Sequence, residues 1–216
     1  MIDMKRITKG LEKREPRVLI YAQSAVGKTK FAVGAPDPLV IDADKGSHKF
    51  DARRIVPQSW DDFGEILLAV ERDEIKCKTL VLDSVTELEA MSHTKLFGSG
   101  GVDKHDGGYG KGDNVAIMTW RADVLAPLER IWMQGKAIVL VAHAIVKSFN
   151  DPALPAAYDR YEIAARPKLA SLLKATMDYV LFARIETVPG PAADKTKARH
   201  ITTGIRTIRT RRRGSG

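Results

Sequence analysis

The chain has 216 residues, 44% hydrophobic and 29% charged, with a net charge of +8 and a single cysteine. That is enough chain for one large domain with its own core, and Cys77 alone excludes an internal disulfide framework and suits a reducing cytosol. No apolar run approaches the roughly 18 residues of a membrane span, and the charged start MIDMKRITKGLEKREPR has no apolar signal-peptide core, so a soluble cytoplasmic protein is expected.

Residues 1–16 read as a charged N-terminal segment, and Arg17 to Tyr21 (RVLIY) as the first buried strand, followed by a loop and a short helix. Pro38 to Asp42 (PLVID) is the second strand. Ser59, with Asp62 three residues on, reads as the N-cap of an amphipathic helix through Ile66, Leu67 and Val70. Thr79 to Asp83 (TLVLD) is the third strand, and Ser84 to Phe97 is helical. The glycine-rich stretch Gly98 to Gly112 is a loop. A helix from about Asn114 to Gln134 is expected to bend or break near Pro127, which lacks an N–H.

Ala137 to Ala142 (AIVLVA) is the fourth strand, and Ile145 to Pro167, with Pro152 and Pro155, is read as irregular. Leu169 to Thr176 is a short helix and Tyr179 to Ile185 a fifth strand; a turn at Pro189 to Pro191 leads into a β-like segment near Arg199 to Thr203. Residues 204–216 read as a basic tail. Alternating strands and helices without a repeat or a second boundary predict a single α/β domain with a mainly parallel β-sheet flanked by helices.

The excess charge sits at one end. After Asp194 there is no acidic residue, while Lys195, Lys197, Arg199, Arg206, Arg209, Arg211, Arg212 and Arg213 follow, which leaves the rest of the chain near neutral. The simplest partner for such a tail is an acidic polymer such as nucleic acid; a solvated tail without a partner is the other reading.

The stretch Ile20 to Ala32 (IYAQSAVGKTKFA) matches G-x-x-x-x-G-K-[ST] except that Ala22 stands at the first glycine. Such a loop turns backbone N–H groups onto phosphate oxygens, so Ala25, Val26, Gly27, Lys28, Thr29 and Lys30 are the nucleotide-binding candidates. A side chain at Gly27 would crowd the phosphates, Lys28 supplies a cation to the β- and γ-phosphates, and the Thr29 hydroxyl is a ligand for Mg²⁺. Asp83, at the end of an apolar strand, is the expected acidic partner of Thr29 at the metal. Context raises a short motif to a Mg-nucleotide site: a strand precedes it, a helix follows, and the second strand-end acid lies downstream. Asp44 in IDADKG is the leading candidate to orient or deprotonate water, with Asp42, Glu87 and Glu89 as competitors, and capping a turn is the other reading of Asp44. His143 in LVAHA sits at the end of the fourth strand, placed to sense the γ-phosphate or to serve only the fold.

The order GKT, IDAD, LVLDS, GGYGKGD, LVAH and YEIAARPKLASLLKATMDYVLFA, over roughly Arg17 to Thr203, resembles the phage-encoded RecA-core P-loop ATPases, in particular the Sak-four-like single-strand annealing recombinases. Two departures stand out: Ala22, and Asp44 where that family carries a glutamate. The resemblance implies a RecA-like NTPase core over residues 17–203 that hydrolyses ATP with Mg²⁺. It further implies a homo-oligomer, ring or filament, that binds single-stranded DNA and anneals or pairs strands, with a single-strand-binding protein as a further partner. In such a core the segments after the third and fourth strands face the nucleic acid. The DNA-binding candidates are therefore Lys104, Tyr109 and Lys111, together with Arg206, Arg209, Arg211, Arg212 and Arg213 of the tail. Lys147, Arg166 and Lys168 are the candidates for a cation reaching a neighbour's γ-phosphate. A nucleotide or small-molecule kinase and a non-catalytic nucleotide-dependent binding module are the competing readings.

Overall fold

Strand β1 (Arg17–Ala22) has neighbours on both sides: the register Ile20↔Val141 joins it to β5 (Ala137–Phe149), and Ile20↔Leu181 joins it to β7 (Tyr179–Pro189), both parallel. The computed structural model describes residues 8–102, 110–150, 152–153, 155–189 and 200–212. β2 (Pro38–Asp42), β3 (Arg53–Ile55) and β4 (Thr79–Asp83) complete the parallel part, and β8 (His200–Arg212) returns antiparallel along β7. The resulting order is β3-β2-β4-β5-β1-β7-β8, with β6 (Tyr158–Ile163) paired antiparallel to the far half of β5.

Alternation of side chains divides the sheet's two faces. Leu19, Leu39, Ile41, Leu80, Leu82, Ile138 and Leu140 meet α2 (Trp60–Glu71), α3 (Val85–Phe97), α5 (Ala126–Met133) and α6 (Pro167–Thr176) in the larger core. Ile20, Ala22, Val40, Val81, Val139, Val141 and Leu181 point the other way, into a smaller core closed by Val26 and Ala32 of the loop and the six-residue helix α1 (Lys28–Val33). Strands buried on both faces must be apolar almost throughout, which is why TLVLD and AIVLVA were readable as strands. Trp60, Phe63 and Trp120 pack as an aromatic cluster, their indole N–H groups donating to Asp123 Oδ2 (3.1 Å) and Ser92 Oγ (3.0 Å).

Helix ends follow the sequence signals. Ser59 caps α2 by accepting from Asp62 N at 3.1 Å, and Ser84 caps α3 by accepting from Glu87 N at 3.4 Å. The long helix expected to break near Pro127 is α4 (Lys111–Thr119), a π-helical turn (Trp120–Leu125) and α5, so the break falls just ahead of the proline. Pro127 offers no N–H to the carbonyl four residues back, and the wider turn accommodates that loss.

Two expectations are corrected and one strand was missing from the reading. Ile145 to Pro167 is not irregular: β5 continues to Phe149 and forms a hairpin with β6 from Ala144↔Ile163 to Phe149↔Tyr158. The terminal β-like segment does not stop at Thr203, since pairing with β7 runs on through Tyr179↔Arg212, and a boundary between 203 and 204 cuts through β8. β3 was not foreseen, being three residues of which two are charged. No helix among the described residues is long and apolar enough to cross a membrane.

Candidate nucleotide site

The strands β1, β2, β4 and β5 deliver their carboxyl ends to one edge of the sheet, where open α/β sheets bind ligands. A cavity of about 470 Å³ lies there, lined by Ser24, Ala25, Gly27, Lys28, Thr29, Asp44, His143 and Arg206 among others. A larger cleft of about 770 Å³ lies by Pro16, Val18, Thr79 and Ala137 at the strands' amino ends and gathers none of the candidate residues.

Ala22 is the last residue of β1, wholly buried in the smaller core. Among the described residues the non-glycine positions with positive φ are Ala25, Asp37, Lys45 and Asp73, so the corner at Ala22 needs no glycine and its methyl group fills core space. The loop turns at Ala25 (φ 63°) and Gly27 (φ 108°), while Val26 is buried and pins the loop to the core. Lys28 is buried, its ammonium donating to the carbonyls of Ala22 and Gln23, both at 3.1 Å. Burial lowers its pKa, against the attraction of Asp83 and Asp44, which hold the charged form. Lys30 is exposed on the cavity wall.

Thr29 Oγ1 donates to Asp83 Oδ2 at 2.6 Å, joining α1 to the end of β4. Burial raises the Asp83 pKa, and the nearby carboxylates of Asp44 and Asp42 push it the same way. This hydroxyl–carboxylate pair of hard oxygens fits Mg²⁺, which takes one or two protein oxygens and completes its octahedron with water and phosphate. No cluster of three or more His, Cys, Asp or Glu side chains able to cage a metal occurs among the described residues. With Lys28 behind the loop and the cavity in front, the residues present fit a magnesium–nucleoside triphosphate.

Asp42 and Asp44 have separate tasks. Asp42 is buried, and its carboxylate accepts from Gly46 N (3.1 Å), Ser47 N (2.9 Å) and Ser47 Oγ (2.6 Å), so it builds the turn after β2. That turn presents Asp44, whose own N–H donates to the carbonyl of Asp83 at 3.1 Å. His143 Nε2 lies 3.1 Å from Asp44 Oδ2, and His143 N donates to Thr86 Oγ1 at 3.2 Å. Lys28, Asp44, Asp83 and His143 are thus brought to one edge, with Asp44 and His143 in direct contact. Of the competitors, Glu89 is buried and accepts the backbone N–H of Arg166 at 3.1 Å and 3.2 Å, and Glu87 lies in the first turn of α3 away from the cavity lining.

The remaining candidates scatter. Arg166 pairs through Nε with Asp113, Lys168 Nζ donates to Asn114 Oδ1 at 2.7 Å, and Lys147 lies on the β5–β6 hairpin opposite Arg160. Lys111 is exposed at the start of α4. Arg209 is exposed and paired with Phe182, while Arg211 and Arg212 pair through their backbones with Val180 and Tyr179. Lys104, Tyr109 and Arg213 lie outside the described residues. Arg206 stands apart from the other tail cations: β8 carries it to the nucleotide cavity, together with Lys49 and Phe50, neither of which was foreseen. Nothing local in GIRTIRT marks Arg206 for that place; only the pairing Ile185↔Arg206 does.

No curated protein matches the chain. A family model described as an AAA domain matches residues 14–213, nearly the whole length and including β8. By that match, and with a phosphate loop, a Thr29–Asp83 pair and a mainly parallel sheet to support it, the chain belongs to the AAA-domain family of P-loop ATPases.

Proposed function

We propose that this chain is an Mg²⁺-dependent ATPase that binds single-stranded DNA and promotes strand annealing or pairing as a homo-oligomer. The observation that carries the reading is the course of β5. Its parallel part ends beside the phosphate loop at Ala22↔His143, and from Ala144 the same strand enters the exposed hairpin with β6. A residue able to sense the γ-phosphate is therefore covalently continuous with a surface able to hold a polymer.

At the nucleotide, Lys28 binds the phosphates and Thr29 with Asp83 holds the metal, which supplies charge neutralisation when bound. Asp44 accepts a proton from, or orients, the attacking water, and His143 fixes the Asp44 carboxylate by hydrogen bonding. The hairpin side offers Phe149, Tyr158 and Tyr161, with Arg160 stacked 3.5 Å over the Phe149 ring and Tyr161 stacked at 4.9 Å on Phe182. Aromatic faces beside cations suit unpaired bases better than duplex. The face bearing α1 is covered by that one short helix and leaves Phe31 and Ile208 over 40% exposed, which supports packing against a second copy.

Phosphate release with and without single-stranded DNA tests the reading, alongside light scattering with ATP. Stimulation by the DNA and ATP-dependent assembly are expected. A strict monomer whose turnover ignores DNA but responds to a small phosphate acceptor points instead to a kinase.

A further inference from the structure

β8 is the edge strand of the sheet, and its partners determine where each side chain goes. Directly opposed residues of an antiparallel pair share a face. Ile185, Ala183 and Leu181 lie on the side of the smaller core, so their partners Arg206, Ile208 and Thr210 rise on the side that carries α1 and the phosphate loop. Arg209, opposite Phe182, faces the other way.

On that side the Arg206 side chain forms part of the wall of the 470 Å³ cavity, with Gly27, Lys28, Thr29, Asp44 and His143. A Cβ built on Gly27 would stand 3.7 Å from Arg206 Nε and 3.8 Å from its Cδ, so the guanidinium stem passes directly over the glycine of the loop. No carboxylate pairs with Arg206 among the described residues; the same holds for Arg54, Arg121, Arg184 and Arg209, but Arg206 alone of these lines the cavity of the phosphate loop. A guanidinium left free of acids beside a loop for polyphosphate has the geometry for two parallel N–H bonds to phosphate oxygens.

We propose that Arg206 is a phosphate-binding residue of its own protomer's nucleotide site, and that its engagement fastens β8 to the loop. The proposal rests on the reading of this cavity as an ATP site. Lys28 then binds the phosphates from behind the loop and Arg206 from the β7–β8 side, so that two cations on distant segments close on one ligand. A Cβ at Gly27 would meet Arg206 at ordinary contact distance, so the glycine is required by its φ of 108° and by the phosphates, not by Arg206. The strand that carries Arg209, Arg211 and Arg212 becomes more firmly held when nucleotide is bound, and ATP thereby regulates the presentation of the basic strand.

The test compares the full-length wild type with Arg206→Ala, Arg206→Lys and Lys28→Ala. Affinities for ATP and ADP are measured by calorimetry, and backbone hydrogen exchange over residues 200–212 is followed with and without ATP. Arg206→Ala is expected to weaken ATP binding about tenfold, the scale of one charge-assisted contact, with partial recovery in Arg206→Lys. ATP-dependent protection of β8 is expected in the wild type and absent in Arg206→Ala. At ATP concentrations too low to fill the weakened site, mixing Arg206→Ala with Lys28→Ala should give no more turnover than the two variants alone, since a residue acting within its own protomer cannot complement a neighbour. Wild-type ATP affinity with retained protection in Arg206→Ala overturns the proposal, as does recovery of turnover in the mixture, which would place Arg206 at a neighbour's site. If the wild type binds no ATP, the ATP reading itself falls; if Lys28→Ala loses binding and Arg206→Ala does not, only the role of Arg206 falls.

Discussion

The carboxyl ends of β1, β4 and the inner half of β5 differ sharply from the two hairpins that extend beyond them. In the first region β4 is buried along its whole length, and Lys28, Asp42 and Asp83 are each less than 10% exposed. In the second, Ile145, Val146, Tyr158 and Tyr161 of the β5–β6 hairpin and Ile205 and Ile208 of β8 all stand more than a third exposed. Phosphoryl chemistry needs charges fixed in a low dielectric, where each interaction is strengthened and no reorganisation is needed at the moment of reaction. A surface for a polymer or a second subunit needs the reverse: exposed apolar and cationic groups able to lose water on contact. Both regions share β5, and Arg206 links them a second time.

The contrast breaks most directly at the level of stability. Phe63→Ala, in the larger core, is expected to cost about 3–5 kcal/mol in urea unfolding, whereas Ile208→Ala, on the edge strand, should cost less than about 1 kcal/mol. Equal losses would mean that β8 is as deeply integrated as the central strands.

Next in size are the catalytic effects. Lys28→Ala should lower kcat for ATP by about 10²–10³-fold, measured as phosphate release. On the proposed reading, in which Asp44 acts on water and not on the phosphates, Asp44→Asn should lower kcat about 10²-fold while ATP affinity stays near wild type. Since Asp44 and His143 touch, the double variant Asp44→Asn/His143→Ala should lose less than the product of the two single losses. A strictly multiplicative result would show that the 3.1 Å contact has no part in turnover.

A smaller effect is expected on the hairpin. Tyr161→Ala should weaken single-stranded DNA by about 1–3 kcal/mol in a fluorescence titration and leave DNA-free turnover unchanged. Loss of basal turnover with DNA affinity intact would reverse the division between the two regions.

The gentlest prediction concerns pH. Burial raises the pKa of Glu89, against the hydrogen bond from Arg166 N. A folded-state pKa above the unfolded value means that the folded chain holds the proton more tightly; this contribution to stability is complete below the ordinary glutamate pKa and is lost as pH rises through the raised value. Glu89→Gln, which keeps the acceptor oxygen and removes the charge, should therefore flatten the fall in Tm on going from acid to neutral pH. A steeper fall in the variant would show the carboxylate to be stabilised by Arg166 more than it is penalised by burial.

The legible and illegible parts of this molecule follow its physics. Central parallel strands must be apolar almost end to end, so PLVID and TLVLD announced β2 and β4 with their boundaries. The phosphate loop was legible because GKT sits directly after such a strand, and Asp83 because a carboxylate ending a buried strand demands a reason. The hairpin β5–β6 was not, since exposed strands carry mixed polar sequence and two prolines sit in the segment between them. After Thr203, β8 has the sequence of a tail because a strand at the edge of a sheet tolerates arginines that a central strand would exclude.

By itself, the sequence determined the α/β class, the single domain, the phosphate loop with Thr29 and Asp83, and the clustering of positive charge at one end, because composition, periodicity and short-range spacing are local quantities. Only the tertiary structure decided that Asp42 builds the turn while Asp44 meets His143, that Ala22 needs no glycine, and that Arg206 leaves its basic neighbours for the nucleotide cavity. Each of these depends on register between strands far apart in the chain, and strand register is set by the packing of the whole sheet.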